Sequence, residues 1–166
     1  MSNLEPIWHD IVNDLGPSLY RYFAASFANQ IAADLVQETL IRLVHKQRGG
    51  AIHSDQGNIK AYAFGIARYV RLEALKDHPG FDLVDDEKTL HAHTTDEKAD
   101  HSDPVAHLKW AIRQLKPIEQ ELILLMIDDE MSLEQMSMAL SIPVGTVKSH
   151  IHRAKENLRK IMEVQP

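Results

Sequence analysis

Residues 131–161 read MSLEQMSMALSIPVGTVKSHIHRAKENLRKI, and the fold is decided there. Ser132 with Gln135 three positions later has the form of a capping box at a helix start. The helix this predicts is short and ends near Leu140. Ser141-Ile142 supplies a turn, and Pro143 suits the first position of a second helix. In that helix Val144, Val147, Ile151, Ala154, Leu158 and Ile161 recur at spacings of three and four, which makes one buried stripe. Thr146, Lys148, Ser149, His150, His152, Arg153 and Lys155 fall outside the stripe, and residues 144–162 hold five Lys/Arg against one Glu. A short helix, a tight turn and a longer helix form the helix-turn-helix pattern. Its second helix has the chemistry for a major groove. Lys and Arg donate to guanine O6 and N7, Ser and Thr bond base edges or phosphates, and the free amides around Val144 to Thr146 can meet a phosphate. Arg159 and Lys160 lie further along, where backbone contact is expected. The competing reading is an ordinary solvated basic helix.

Along the rest of the chain, apolar residues keep helical spacing almost throughout and strand signals are nearly absent. A helix over about 105–115 stops before Pro117, which opens the next, running to about Asp128 and burying Ile118, Leu122, Leu125 and Met126. In the front half, one helix is expected from about Pro6 to Phe27 with Ile7, Ile11, Leu15, Leu19 and Phe23 inward. A second runs from about Ile31 to Gln47, closed by Gly49-Gly50. A third covers Gln56 to Asp77, with Ile59, Tyr62, Ala63, Ile66, Val70 and Leu75 inward and Pro79-Gly80 as its stop. Segment 81–105 has no sustained periodicity and reads as a linker, with room for short helical turns where Leu83, Val84 and Leu90 could dock. The expected fold is all-α: two small helical domains, 1–80 and 106–166, joined by the acidic linker 81–105, the C-terminal one a helix-turn-helix.

Charge follows the same division. The formal net charge is −6, yet residues 1–80 hold eight basic and eight acidic residues and residues 106–166 are balanced in the same way. The deficit lies in 81–105, with two basic and eight acidic residues. A neutral domain can present a basic face, and the acids at Glu119, Glu121, Asp128, Asp129, Glu130 and Glu134 leave the last helix as the basic element. There is no Cys, which excludes disulfides and thiolate metal sites. No apolar run approaches a membrane span and no signal-peptide pattern stands at the N-terminus, so a cytoplasmic protein without direct membrane insertion is expected.

Pro143-Val144-Gly145-Thr146-Val147-Lys148-Ser149-His150-Ile151-His152-Arg153-Ala154-Lys155 resembles the last helix of the extracytoplasmic-function (ECF) sigma factors. Leu115-Lys116-Pro117, Glu121 and Ser132-Leu133-Glu134-Gln135 extend the likeness. In that family this unit is region 4, which reads the −35 promoter element. Ala33-Asp34-Leu35-Val36-Gln37-Glu38-Thr39 resembles the most recognisable stretch of region 2, and Phe64-Gly65-Ile66-Ala67-Arg68 the start of the next family helix. The resemblance covers about 15–77 and 106–162. It implies core bacterial RNA polymerase, promoter DNA and an anti-sigma factor as partners, and a specificity subunit without catalytic residues of its own. Asp34, Gln37 and Glu38, with Arg42 beyond them, become the candidates for polymerase contact. Lys60, Tyr62, Phe64, Arg68, Tyr69 and Arg71 become candidates for holding opened −10 DNA, and segment 50–55 for a loop around a flipped base. Tyr62 and Phe64 are equally readable as core. Against the family pattern, Glu73 and Asp77 dilute the positive charge after Arg68, His150 replaces a residue more often Arg, and Ser137 and Ser141 stand where Ala and Gly are usual.

No HExxH, phosphate loop, nucleotide fingerprint or Ser–His–acid arrangement appears. His91, His93, Asp96, His101 and Asp103 form a loose cluster in the linker, but no metal or other cofactor is expected. Two alternatives stay open: a sigma-like mimic that occupies polymerase or an anti-sigma factor without initiating, and a plain helix-turn-helix regulator, which leaves Asp34 to Thr39 unexplained.

Overall fold

The computed structural model describes residues 5–49, 56–77, 102–127 and 131–163. Every regular element among them is an α-helix: α1 (Glu5–Ala24), α2 (Asn29–Arg48), α3 (Gln56–Asp77), α4 (Pro104–Arg113), α5 (Pro117–Met126), α6 (Leu133–Leu140) and α7 (Val144–Glu163). Segment 50–55, the linker docking candidates and all of the linker His cluster except Asp103 lie outside the described residues.

Local chemistry accounts for the boundaries. Asp103 caps α4 by accepting from the Val105 amide, with Pro104 at the first helical position. Pro117 opens α5 in the same way. Both halves of the capping box at α6 are present: the Gln135 amide donates to Ser132 Oγ at 3.1 Å, and the Ser132 amide to Gln135 Oε1 at 2.9 Å. α1 stops at Ala24, three residues before the expected end, but Phe27 stays buried in the turn that follows.

Helices α1–α3 form one cluster, with α2 packed on both α1 and α3. Leu15, Leu19, Tyr22 and Phe23 of α1, Ala32, Thr39 and Leu43 of α2, and Ile59, Ala63, Phe64, Ala67 and Val70 of α3 fill it. Helices α4–α7 form the second cluster, around Ile112, Leu122, Leu125, Met136, Leu140, Val147 and Ala154. The two clusters are in contact, because α3 packs along α6. The contact is close at Gly65: a Cβ placed there would stand 3.3 Å from the Ala139 carbonyl oxygen and 3.8 Å from its Cα. Absence of a side chain at Gly65 is what lets the two backbones approach. The buried apolar residues of both clusters consequently form one connected core.

Tyr62 departs from the expected inward set. It is 38% exposed, and Tyr69, one heptad further along α3, is 62% exposed. Seven residues nearly complete two turns, so the two rings share an outward face about 10 Å apart along the axis.

Candidate nucleic-acid interface

The turn between α6 and α7 is built by two serines. Ser141 adopts the left-handed conformation, φ 55° and ψ 43°, and is the one non-glycine residue with positive φ among the described residues. That conformation costs an L-residue roughly 1–2 kcal/mol, which explains why glycine is the favoured occupant. Ser137 supports the turn from the other side. Its hydroxyl donates to the Ile142 carbonyl at 2.5 Å, while the Ile142 amide donates to the Ser137 carbonyl at 3.1 Å. Ser137 is thus more than a tolerated small residue.

α7 then leaves the turn with Val147 and Ala154 fully buried. Lys148, Ser149, His152, Arg153 and Lys155 are exposed, and Thr146 and His150 are half-buried. Ser149 Oγ donates to the Gly145 carbonyl at 3.0 Å, so its hydroxyl offers a partner lone pairs rather than its proton. Arg159 is held by Glu156 at 2.6 Å and Glu163 at 3.5 Å. Its hydrogen bond to Glu156 raises the guanidinium pKa and lowers that of the Glu156 carboxyl. With Arg159 so paired, Lys148, Arg153 and Lys155 are the exposed cations ahead of it along α7, and Lys160 follows it. The expected acidic contrast in α5 is different in kind. Glu119 and Glu121 are buried, 3% and 2% exposed, and are not part of an acidic surface. Asn157 Nδ2 of α7 donates to Glu119 Oε1 at 2.9 Å, which ties α5 to α7. Asp128, Asp129 and Glu130 lie outside the described residues.

On α2, Asp34, Gln37 and Glu38 are exposed and Arg42 is half-buried. Thr39, on the opposite side, is buried and donates its hydroxyl to the Leu35 carbonyl at 2.8 Å. Arg42 is occupied: Nε reaches Glu38 Oε1 at 2.9 Å and Nη2 reaches Glu73 Oε2 on α3 at 2.7 Å. The hydrogen bonds to Glu73 and Glu38 raise the Arg42 pKa, and Arg42 lowers that of Glu73. Glu73 thus does more than dilute charge, since it couples α3 to the α2 surface.

On α3, Lys60 and Arg68 are half-buried and Tyr62 and Tyr69 are exposed, whereas Phe64 is core. Phe64 meets the Tyr22 ring edge-on at 5.7 Å. Arg71 corrects the expectation of a surface cation. It is 3% exposed and faces the second cluster. Its Nη1 contacts Glu121 Oε1 at 2.6 Å, its Nη2 donates to Gln120 Oε1, and its Nε donates to Ser26 Oγ at 3.3 Å. The other Glu121 oxygen accepts from the Tyr22 hydroxyl at 2.7 Å. Burial, then the neighbouring Glu121 charge, pushes the Tyr22 pKa well above its ordinary value. Tyr22, Ser26, Gln120 and Glu121 were missed as a group by reading the sequence. One signal was present: Arg71 sits on the same helical stripe as Phe64, Ala67, Ala74 and Leu75, all of them buried. Among the described residues no group of His, Asp and Glu could hold a metal ion, and no helix is long and apolar enough to cross a membrane.

Residues 109–158 match the family model described as Sigma-70, region 4. Similarity to known proteins extends further. The RNA polymerase sigma-E factor of Streptomyces antibioticus is 31% identical over 134 residues, covering 81% of this chain and 72% of that protein. The chain belongs to the extracytoplasmic-function family of RNA polymerase sigma factors. The ECF RNA polymerase sigma factor SigE of Mycolicibacterium smegmatis is 28% identical over 163 residues, 93% of this chain, which spans 61% of that relative's length. The solved sigma factor RpoE of Bartonella quintana, crystallised with the anti-sigma factor NepR, superposes with a TM-score of 0.60 at 25% identity, covering 95% of this chain and 99% of that one. Set against the region 4 match, α4–α7 of this sigma factor carry the basic face, and the relatives' wider coverage takes in α1–α3 as well.

Proposed function

We propose that this chain is the promoter-specificity subunit of a bacterial RNA polymerase, with 1–80 acting as region 2, 81–105 as the linker and 106–166 as region 4. The observation that carries the reading is the exposed face of α7, with the cations Lys148, Arg153 and Lys155 and the polar His152 away from the buried Val147 and Ala154, inside the segment matching region 4. α6 and α7 act as a helix-turn-helix that lays this face in the major groove of the −35 element, Lys and Arg reading base edges and Thr146, Ser149 and His150 completing the contact. The exposed Asp34, Gln37 and Glu38, with Arg42 fixed beside them, form the polymerase contact through charged and amide hydrogen bonds. Lys60, Tyr62, Arg68 and Tyr69 hold the opened −10 strand, the tyrosines by stacking. The likeness to a sigma factor crystallised with its anti-sigma factor supports anti-sigma control as well. The setting is the bacterial cytoplasm, where polymerase works.

Run-off transcription with purified core bacterial polymerase from a compatible host, on a pooled genomic promoter library, tests the reading. Transcripts that depend on this chain and share paired upstream elements are expected. They should weaken with Lys148→Ala or Arg153→Ala, by about 1–3 kcal/mol of promoter affinity where a bidentate base contact is lost. A verified polymerase complex that yields no transcripts would replace the proposal with a sigma-like mimic. No complex at all would leave a plain DNA-binding regulator.

A further inference from the structure

Gly65 has a reason within the fold, because Ala139 of α6 crowds the place of its Cβ. Gly16 has one too: it precedes Pro17 inside α1, and a proline ring crowds a Cβ on the residue before it. Gly145, the second residue of α7, is unlike both. A Cβ built there would meet no described atom within 4 Å beyond its own stretch of helix, and its φ lies outside the left-handed region that favours glycine. The sharp turn before α7 is made by Ser141 instead. Inside a helix, glycine is less favourable than alanine, since it loses more backbone freedom on folding. Nothing among the described residues compensates for that at Gly145, which is exposed.

Its place on α7 identifies what does. Gly145 and Ser149 are four residues apart, and Glu156 follows seven further on, so the three lie along one line of the helix. That line is on the side away from the buried Val147 and Ala154. Ser149 stays low on it, because its hydroxyl turns back to the Gly145 carbonyl at 3.0 Å. The exposed cations stand beside the line, Lys148 and Lys155 on one flank and Arg153 on the other. The start of α7 thus presents a shallow neutral strip between cationic flanks. A helix lying in the major groove turns one line toward the base edges, and its flanks toward the strands on either side. At Glu156 the strip ends in a carboxylate, held by Arg159 at 2.6 Å.

We propose that Gly145 is a positioning residue for duplex DNA: base edges of the major groove fill the space where its side chain would be, and this contact sets how deeply α7 seats. The inference rests on the promoter reading, since it takes α7 as the reading helix. It adds a contact made by backbone, at a residue with no side chain to donate or accept. Depth governs what the neighbours reach. With the helix held outward by one methyl group, Lys148, Ser149 and Arg153 meet the base edges at longer distances and poorer angles, where hydrogen bonds weaken steeply. Attraction between the cations and the phosphates falls off slowly with distance. Sequence preference is therefore lost before general affinity for DNA.

The test uses the full chain bound to core bacterial polymerase and a pool of duplex DNA of randomised sequence. The wild-type complex selects from the pool, and affinities for the selected and the unselected DNA are then compared. A shared motif is expected in the selected set. Gly145→Ala should hold or raise the urea midpoint and leave affinity for core polymerase unchanged, because alanine favours the helix and has open space. Its preference for selected over unselected DNA should fall roughly tenfold, the scale of one lost base contact. Gly145→Leu should lose more of the preference, while affinity for unselected DNA changes little. Unchanged preference in both variants overturns the proposal. A urea midpoint that falls together with the preference in both variants also overturns it, since Gly145 would then serve the fold. A wild-type complex that enriches no motif removes the promoter reading and the inference with it. Enrichment of one motif equally by wild type and Gly145→Ala removes the inference alone.

Discussion

Arg42 and Arg71 both bridge helices, both hold a carboxylate within 2.7 Å, and they lie in opposite surroundings. Arg42 joins Glu38 and Glu73 at the surface, with side chains 36%, 47% and 59% exposed. Arg71 joins Glu121 in the interior, where both are 3% exposed. Bond length does not separate the two sites; water does. At the Arg42 site solvent screens the charges and competes for each donor, so the pair adds little to folding. At the Arg71 site the remaining partners of each charge are neutral groups, so removing one charge costs far more than the intact pair contributes. A surface pair can serve as an adjustable feature of a docking face, whereas a buried pair ties together whatever its two residues belong to.

The largest expected effect follows from that contrast. Arg71→Ala strands the Glu121 carboxylate in a site built for a cation and should lower stability by about 3–5 kcal/mol in urea denaturation. Arg71→Met together with Glu121→Leu removes both charges and should recover most of that loss. A small loss for Arg71→Ala alone would mean that water reaches the ion pair and that the two arginines differ less than their burial indicates.

Tyr22→Phe comes next. It deletes the hydroxyl donated to Glu121 and leaves Arg71 in place, a loss of about 2–3 kcal/mol for a buried bond to a charged acceptor. Its pH signature is separate. The folded-state pKa of Tyr22 is raised above its unfolded value near 10, so the phenol's contribution is complete below that pH and is lost as pH rises beyond it. The native chain should therefore lose stability above about pH 10 more steeply than Tyr22→Phe does. Parallel alkaline profiles would show that the phenol is not held protonated by its contact with Glu121.

Asn157→Ala tests a buried carboxylate that stays within one cluster. Glu119 would lose its donor from α7, at a cost of about 1–2 kcal/mol. This substitution should leave the contact between α3 and α6 intact. Increased cleavage by a protease across both clusters, rather than within α4–α7 alone, would show that the loss is not confined to the second cluster and that the two open together.

Much of this was legible in the chain. The α3 boundaries, the capping box at Ser132, Pro117 at a helix start, and the outward face of α7 all depend on interactions within a few residues, which a periodic pattern or a cap records directly. Arg71, Glu119 and Glu121 were read as surface charges, because charge is usually solvated and their partners lie 38 to 99 residues distant. Periodicity placed Arg71 on a buried stripe, and its charge outweighed that signal in the reading. Tyr62 went the other way, because an aromatic ring on a long helix reads as core. Ser137 was invisible as a turn support, since a hydroxyl's acceptor is a matter of geometry and not of residue type.

The smallest expected effect is the sharpest test of the difference between the Arg42 and Arg71 sites. Glu73→Gln removes one of the two carboxylates on Arg42 and leaves Glu38 in place. Both carboxylates face water, and Arg42 keeps the i,i+4 partner on its own helix. The urea midpoint at neutral pH should therefore not move measurably. Arg42 lowers the Glu73 pKa, so whatever the pair contributes is present above the ordinary glutamate value and is lost as pH falls through the lowered one. Any difference between the two proteins should vanish in acid and in high salt. A midpoint shift that persisted in concentrated salt would mean that the α2–α3 clasp is shielded as the α3–α5 ion pair is, and that the surface around Glu38, proposed above to meet polymerase, is held rigid by it rather than left to adjust to a partner.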